Sequence, residues 1–318
     1  MNRINFYRQI IEGKWFIHYS YALTLGALLE SFFPKKSMGD PRDWDRMATQ
    51  DLKAMEDRAD IPLMVSAVDG SVNISVKNFN DAPEGSVAII PLKGAMIKYG
   101  TWCEYGTEEI AEVLLNAAGS SRIEAIVLDI DSGGGAVDAI PPMTEAIVKA
   151  RVKYNKPVVA CGDLCASAAY FTACYCDRIL ASNNLSAEFG SIGVMLQFWD
   201  IVPFYEEQGY KFHRIYAPES THKNLPFEKA LKGEYDLIKQ EELSPLAVGF
   251  QNTVKEKRGS KLDMSAEGLL NGRMFYAVNP NSDKLDARNV GLIDEVASLE
   301  YAIELAASLA EARKFMSK

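Results

Sequence analysis

The stretch "IEAIVLDIDSGGGAVDAIPPMTEAIVKARVKYNKPVVAC", residues 123 to 161, contains the pattern that decides the fold of this chain. Its apolar beginning, residues 123–131, predicts a buried strand, and "KPVVAC" at residues 156–161 predicts a second one. Residues 139–154 between them have helical periodicity, with two prolines in the first turn, where a helix does not need their missing N–H groups. A strand, a helix and another strand in succession predict a βαβ unit with parallel strands.

Similar units on both sides extend this pattern into a large α/β domain. We expect a hairpin at residues 61–76, closed by Asp69 and Gly70, then a buried strand at residues 86–94 and a helix at residues 106–121. Beyond the quoted stretch we expect short strands at residues 178–182, 189–196 and 210–217, a helix at residues 200–209, a helix pair at residues 226–259 and a final helix at residues 299–315.

The N-terminal part of the chain has a different character. Residues 1–60 predict a helical and linker segment, ahead of a compact domain at residues 61–300 and a C-terminal helix at residues 301–318. Residues 14–34, "KWFIHYSYALTLGALLESFFP", are the candidate for membrane contact, but charged or polar residues interrupt a run shorter than the roughly 20 residues that a bilayer requires. A membrane anchor, a signal peptide and an amphipathic docking helix remain alternatives, and the docking helix fits best. We therefore expect a cytoplasmic protein, membrane-associated at most through this segment.

The composition argues against a nucleic-acid partner. The chain of 318 residues is 48% hydrophobic, enough to bury a full core, and its formal net charge is -9. Binding to nucleic acid requires a basic field that releases counterions from phosphates. We therefore expect no nucleic-acid partner.

Four of the five cysteines lie between residues 161 and 176. This layout suits neither a secreted disulfide framework nor a zinc site, because it has no C-x-x-C pair and no histidine nearby. The simpler interpretation is that these cysteines are small buried hydrophobic residues in a reducing compartment. We expect no metal.

Two of the predicted strand-to-helix junctions have residues suited to chemistry. In "DIDSGGGAVDAI" the glycines at residues 133–135 can expose backbone N–H groups beside a helix N-terminus. In "DLCASAAYFTACYCDRI", residues 163–179, Ser167 precedes a helix and has small neighbours. Loops beyond the carboxyl ends of adjacent strands meet in one crevice of an α/β sheet. A serine nucleophile with an oxyanion hole is one interpretation, and a tight turn beside a serine N-cap is the other.

A serine nucleophile needs a base, and the histidines do not offer one. His18 lies outside the predicted domain, His213 alternates within a predicted strand and is expected to be structural, and His222 has no triad context. This pattern favours lysine as the base. A lysine base requires a pKa near 7 rather than its reference value of about 10.4, which burial can produce.

Several ordered motifs together resemble the signal peptide peptidase A family, including its phage-encoded prohead proteases. The motifs are "VAIIPLKGAM", "IVLDIDSGGGAVD", "DLCASAAYFTACYCDRILAS" and "FGSIGVM", followed by "EGLLNGRMFYAVNPNSDKLDARNVGLIDEV". The resemblance covers residues 86–297. It implies an α/β fold with the repeated ββα core of Clp proteases and crotonases, here with helical additions at both ends.

The resemblance also implies a serine/lysine dyad. Ser167 stands at the family's nucleophile position and Lys223 at its lysine position. The residues just before that lysine, 220–222, are Ser, Thr and His, where the family usually has Gly, Lys and Tyr. Lys229 and Lys232 are therefore alternative bases, and His222 is a candidate for a minor role.

The resemblance assigns further roles around Ser167. The N–H groups of Gly134 or Gly135, with that of Ala168, are expected to form the oxyanion hole. Gly133 stands where the family usually has proline, which predicts a more flexible loop. The hydroxyl of Ser191 is a candidate to orient the lysine, with a plain turn hydroxyl as the alternative.

Three functions compete at this stage. The first is a serine endopeptidase that acts through an acyl-enzyme on peptides or unfolded proteins, needs no metal or nucleotide, and processes a capsid or scaffold protein of a prophage. Clearance of membrane-derived signal peptides is the alternative role for the same chemistry. The other two are a crotonase-like acyl-CoA enzyme and a catalytically silent phage-head assembly protein. Short family members imply a homo-oligomer in which serine and lysine can come from different subunits.

Overall fold

The computed structural model describes residues 15–17, 60–67, 73–100, 104–198, 200, 202–207 and 209–316. The strands in these ranges are β1 (Trp15–Ile17), β2 (Leu63–Ser66), β3 (Asn73–Val76), β4 (Ser86–Lys93), β5 (Ile123–Ser132), β6 (Gly134–Ala136), β7 (Val158–Ala166), β8 (Arg178–Ala181), β9 (Glu188–Gly190), β10 (Met274–Tyr276) and β11 (Glu295–Val296). The helices are α1 (Thr107–Gly119), α2 (Ile140–Val152), α3 (Ala168–Ala173), α4 (Val202–Glu207), α5 (Leu225–Leu231), α6 (Asp236–Ile238), α7 (Ser244–Arg258) and α8 (Leu299–Met316). Within these ranges no helix combines the length and apolar character that a membrane crossing requires.

The centre of the fold is a mixed sheet. Among the described residues it has nine strands, with β10-β9-β7-β5-β4-β2-β3 in that order and β8 beside β7 and β11. The central pairings β4–β5, β5–β7, β7–β8 and β7–β9 are parallel, whereas β2, β3 and β10 pair antiparallel at the two ends. The quoted stretch forms the unit β5–α2–β7, because parallel neighbours need a crossover connection. The predicted α/β class is confirmed.

Both faces of the central strands are buried, which explains their continuous apolar sequence. Side chains along a strand alternate between the two faces. Ile126 and Leu128 of β5 enter the main core together with residues of α1 and α2, whereas Ala125 and Val127 pack beneath α8. The small side chains of α8 that meet this second face are Ala302, Ala306, Ala307 and Ala310. The sheet is therefore the middle layer of three.

The predicted strand at residues 210–217 is wrong. These residues have no regular secondary structure, and all but Tyr216 are exposed. An alternating pattern makes a strand only where a neighbouring strand satisfies its backbone groups, and none of the described strands pairs with this segment. His213, expected inside that strand, is exposed as well. The strand predicted at residues 189–196 is limited to β9.

The structure describes only a small part of the N-terminal segment. Trp15–Ile17 form a strand within a segment predicted to be helical. The rest of residues 1–59, including the remainder of the candidate membrane segment, lies outside the described residues. The turn at Asp69 and Gly70 lies outside them too, although β2 and β3 pair antiparallel as a hairpin requires. The proposed domain boundaries stay predictions.

A buried ion pair attaches the C-terminal part of the chain to the sheet. The Arg258 side chain of α7, 5% exposed, donates to both carboxylate oxygens of Asp294 at 3.2 and 3.1 Å. The same carboxylate accepts the N–H of Ile179 in β8 at 2.8 Å. In α3, the hydroxyl of Tyr170 donates to the carbonyl of Leu292 at 2.8 Å. The bonds of Asp294 thus join α7 to β8, and the Tyr170 bond holds α3, the helix that follows Ser167, against Leu292.

We expect Asp294→Ala to lower the free energy of unfolding by about 3–5 kcal/mol, because it leaves the Arg258 charge buried and unpaired. Burial alone raises the pKa of Asp294, but the hydrogen bond and charge of Arg258 outweigh burial and hold it below the ordinary range. A depressed carboxyl pKa stabilises the fold above the unfolded value of about 3.9, and this contribution is lost as pH falls through the folded pKa. Urea denaturation at pH 7 and in acid measures both effects.

Glu256→Ala is the matched control, because the Glu256 side chain is 71% exposed in its pair with Lys257. We expect a change within about 0.5 kcal/mol. Equal losses for the two variants would contradict the role given to the buried pair.

Candidate active site

The two junctions singled out in the sequence lie side by side. β5 and β7 are parallel neighbours, and Ser132 at the end of β5 is in register with Cys165, two residues before Ser167. β6, which follows Ser132, lies against α3, with Cα atoms within 8 Å. The glycines and the serine therefore reach the same edge of the sheet, as expected for loops beyond the carboxyl ends of adjacent parallel strands.

Ser167 has a strained backbone. Its φ of 56° and ψ of -116° lie in a region that side chains other than glycine rarely adopt. Its N–H donates to the carbonyl of Gly190 at 2.8 Å and its carbonyl accepts the N–H of Phe171 at 2.8 Å. Such a conformation costs of order 1–3 kcal/mol, persists only where the surroundings impose it, and is concentrated at functional sites.

The hydroxyl of Ser167 is buried and unpaired. The residue is 1% exposed, and its Oγ has no hydrogen-bond partner among the described residues. Ser167 stands at the N-cap position of α3, but its side chain makes no capping hydrogen bond. The N-cap interpretation therefore does not account for this serine. A hydroxyl held in this state destabilises the fold, because its hydrogen-bonding capacity is left unsatisfied.

The glycine strand β6 is shaped by a neighbouring loop. Met96 donates its N–H to the carbonyl of Gly134 and accepts the N–H of Ala136, each at 2.9 Å. A Cβ at Gly135 would lie 1.9 Å from the Met96 carbonyl oxygen, so only glycine fits there. The N–H of Gly134, where φ is 94°, donates to the hydroxyl of Ser132 at 3.2 Å.

This pattern determines which way Gly135 presents its backbone. Successive residues of a strand direct their N–H and C=O groups to opposite edges. Because Gly134 and Ala136 are bonded to Met96 on one edge, the N–H and C=O of Gly135 face the other edge. Gly134 has its N–H engaged by Ser132. Of the two glycines expected as oxyanion donors, Gly135 has the better orientation.

Two residues around the site could not have been found by inspecting the motifs for reactive groups. Ser132 donates its hydroxyl to the carbonyl of Gly94 at 2.5 Å while accepting from Gly134, so it joins the loop after β4 to the glycine strand. Gly190 holds the N–H of Ser167. The available signals were the serine directly before the glycine run and the glycine in "FGSIGV".

Ser191 lies next to the nucleophile candidate. Ala166 is in register with Gly190, so Ser191 follows the residue that holds the backbone of Ser167. Ser191 has a φ of 54° and donates its N–H to the carbonyl of Arg273 at 2.9 Å. Two serines with positive φ thus stand at the ends of adjacent strands.

Lys223 does not reach Ser167 within one chain. It lies in an exposed turn at residues 221–224, directly before α5. No described side chain, Lys223 included, makes a hydrogen bond with the Ser167 Oγ. Of the alternative bases, Lys229 pairs with Glu234 at 3.2 Å, and Lys232 is exposed. His222 contacts Glu241 at 2.8 Å.

The segment that contains Lys223 exposes several large apolar side chains. We call residues 209–235 the arm. Its exposed hydrophobic residues are Tyr210, Phe212, Ile215 at 91% exposure, Phe227, Leu231 and Tyr235. Exposed apolar side chains of this kind are candidates for contact with another protein.

The environment of the four cysteines at residues 161–176 disfavours the thiolate form. Cys161, Cys165 and Cys174 are buried and Cys176 is half-buried. Burial raises the pKa of the Cys161 and Cys174 thiols to about 12 and raises those of the other two as well. The interpretation of these residues as small buried hydrophobic groups agrees with this environment.

Comparison with protein families gives a match to the model "Peptidase family S49" over residues 150–313, slightly more than half of the chain. The matched range includes Ser167, Ser191 and Lys223. The glycine strand β6 lies before it.

Curated relatives include proteins of phages and of bacteria. The chain is 27% identical over 183 residues to the head-tail preconnector protein of an Enterobacteria phage, covering 56% of this chain and 36% of that protein. It is 26% identical to capsid assembly protease C of Escherichia phage lambda, covering 72% and 50%, and 26% identical to Protease 4 of Haemophilus influenzae, covering 72% and 35%. The chain thus aligns with between about a third and a half of the length of these relatives.

Similar solved structures include an enoyl-CoA hydratase/isomerase family protein from Silicibacter pomeroyi, at 15% identity and a TM-score of 0.38, covering 72% of this chain and 81% of that one. Another is a mutant of a membrane-bound stomatin-specific protease with a substrate peptide, at 17% identity and a TM-score of 0.36, covering 69% and 77%. At these identities and scores they place no residue or ligand in this chain.

The environments of two buried serines predict different effects of alanine substitution on stability. Ser132→Ala removes a hydroxyl with two partners, so we expect the free energy of unfolding to fall by about 1–3 kcal/mol. Ser167→Ala removes an unpaired hydroxyl, so we expect a value within about 0.5 kcal/mol of wild type, or a more stable protein. Urea denaturation of the three proteins measures the difference. A loss for Ser167→Ala equal to that for Ser132→Ala would mean that the Ser167 hydroxyl has a partner after all.

Proposed function

Because the chain belongs to peptidase family S49, we propose that it is a serine endopeptidase with Ser167 as the nucleophile. The observation that carries this proposal is the buried, unpaired hydroxyl of Ser167 on a strained backbone beside a glycine strand. Strain and an unsatisfied polar group both destabilise a fold, and a residue that combines them is best explained by its chemistry. The names of the relatives, Protease 4 and capsid assembly protease C, support the same activity.

The oxyanion hole is assigned to the N–H groups of Gly135 and Ala168. Gly135 directs its N–H away from Met96, toward the opposite edge of β6. Ala168 is the first residue of α3, and the first N–H groups of a helix have no partner within that helix. Donors held in place before the reaction stabilise the developing negative charge without reorganisation.

The reaction proceeds through an acyl-enzyme. The Ser167 Oγ attacks the substrate carbonyl as its proton passes to a neutral lysine amine, and the carbonyl oxygen becomes an oxyanion. Collapse of this intermediate breaks the C–N bond, and the lysine returns the proton to the leaving amine. Water then attacks the ester by the same route, which releases the acid and restores Ser167.

We assign the base to Lys223 of a neighbouring subunit. A lysine acts as a base only where burial or nearby charge brings its pKa close to neutrality, and within one chain Lys223 is exposed in a turn. The arm around it presents apolar side chains that a second copy can cover. Docking of the arm against the neighbouring Ser167 would bury the amine and place it beside the hydroxyl, near Ser191. The complete site then exists only in the oligomer.

The proposed substrates are peptides and unfolded segments of proteins, with a capsid or scaffold protein of a phage as the physiological class. Two relatives are a capsid assembly protease and a head-tail preconnector protein. Clearance of signal peptides remains the second role for the same chemistry, since Protease 4 is also a relative.

Ser167→Ala and Lys223→Ala should each reduce cleavage of fluorescein-labelled casein by at least about a thousandfold, because each removes a partner of the proton transfer. Lys229→Ala is the control, since its amine pairs with Glu234 and is not assigned to the reaction. It should retain activity close to wild type. Cleavage that survives Ser167→Ala would refute the nucleophile, and full activity of Lys223→Ala would refute the base.

Mixing the two inactive variants tests whether the site is shared. In mixed oligomers formed from equal amounts of Ser167→Ala and Lys223→Ala, a shared site has an even chance of an intact serine and, independently, an even chance of an intact lysine. Activity should therefore return to about a quarter of wild type. A dyad formed within one chain would remain inactive after mixing, and that result would contradict the shared site.

A further inference from the structure

The edge of the glycine strand is occupied by residues from the far end of the sequence. β1 pairs antiparallel with β6, with Trp15 opposite Ala136, Phe16 opposite Gly135 and Ile17 opposite Gly134. About 120 residues of sequence separate the two strands, and this pairing forms a two-stranded sheet apart from the main one. β1 is therefore held by the backbone of the candidate active site.

The register places the backbone of Phe16 at the proposed oxyanion donor. The N–H and C=O of Gly135 face the edge opposite Met96, and β1 lies on that edge. In an antiparallel pair, two residues whose groups face each other exchange both hydrogen bonds. The carbonyl of Phe16 thus meets the N–H of Gly135, and the N–H of Phe16 meets the carbonyl of Gly135.

β1 also lies beside the helix that follows the nucleophile. Cα atoms of β1 come within 8 Å of α3, whose first residue is Ala168. Both strands of this small sheet therefore lie near α3. A peptide whose carbonyl is to reach the N–H of Gly135 has to pair along the edge that β1 occupies.

We propose that the edge of β6 is the peptide-binding strand of the site and that Trp15–Ile17 of the chain are its intramolecular ligand, with Phe16 in the reacting register. This inference rests on the proposed function and names the ligand of that site. The ligand class is an extended peptide that adds a strand through backbone hydrogen bonds, a mode of recognition that depends little on sequence. A peptide substrate must displace β1 before it can bind.

The intramolecular ligand has a large advantage over free peptides. Because β1 belongs to the same chain, its binding is intramolecular, and its effective concentration at the site does not fall when the protein is diluted. A free peptide whose concentration is low relative to its dissociation constant cannot displace β1. The segment β1 therefore restrains cleavage until it is released or cut.

The pairing can be tested without relying on activity. In full-length Ser167→Ala protein, we compare Phe16→Pro with Ile17→Pro by hydrogen–deuterium exchange of a peptide that covers residues 134–136. Proline at residue 16 removes the N–H that faces Gly135, whereas the N–H of Ile17 points to the other edge and is dispensable. We expect exchange at residues 134–136 to be at least about tenfold faster for Phe16→Pro and unchanged for Ile17→Pro. Equal exchange in both variants would overturn the pairing.

The second measurement uses the same proline variants with Ser167 intact. Phe16→Pro should cleave fluorescein-labelled casein about tenfold faster than wild type, while Ile17→Pro should match wild type. A synthetic peptide of residues 11–21 should inhibit Phe16→Pro more strongly than wild type. Fast exchange combined with unchanged cleavage would overturn the restraining role. Fast exchange with no cleavage by any variant would instead refute the proposed function and leave the pairing intact.

Discussion

The parallel pairing of β5 with β7 is the constraint on which the rest of the site depends. It sets Ser132 level with Cys165, so that the glycine strand and Ser167 emerge at the same edge, one strand apart. The backbone of Ser167 is then held from the opposite side by Gly190 at the end of β9. Three neighbouring strands thus impose a conformation that the serine would not adopt in an isolated loop.

The parts of the fold that could be predicted are those that local pattern determines. Apolar runs at β4, β5 and β7, prolines in the first turn of α2 and the serine before α3 each specify an element or its boundary, and all appear where expected. The two junctions could be predicted to meet because adjacent parallel strands end at the same edge. The strand predicted at residues 210–217 was wrong because an alternating pattern does not supply a neighbouring strand.

The rest could not be predicted because it depends on contacts between distant parts of the sequence. Nothing in "WFI" at residues 15–17 indicates that it pairs with a glycine strand more than a hundred residues away. The choice of Gly135 over Gly134 follows from Met96, whose position no motif specifies. Lys223 is exposed within the single chain, so family likeness names the residue but does not give its geometry in the proposed site.

The two hydrogen bonds of the Ser132 hydroxyl limit the conformational freedom of the glycine strand. Three consecutive glycines without support would sample many backbone states, and a donor among them would have to be ordered in every catalytic cycle. Because Ser132 joins the carbonyl of Gly94 to the N–H of Gly134, and Met96 holds both neighbours of Gly135, that ordering is completed when the chain folds. The conformational entropy of the glycines is then lost once, on folding, and in the proposed reaction the donor is already in place before substrate binds.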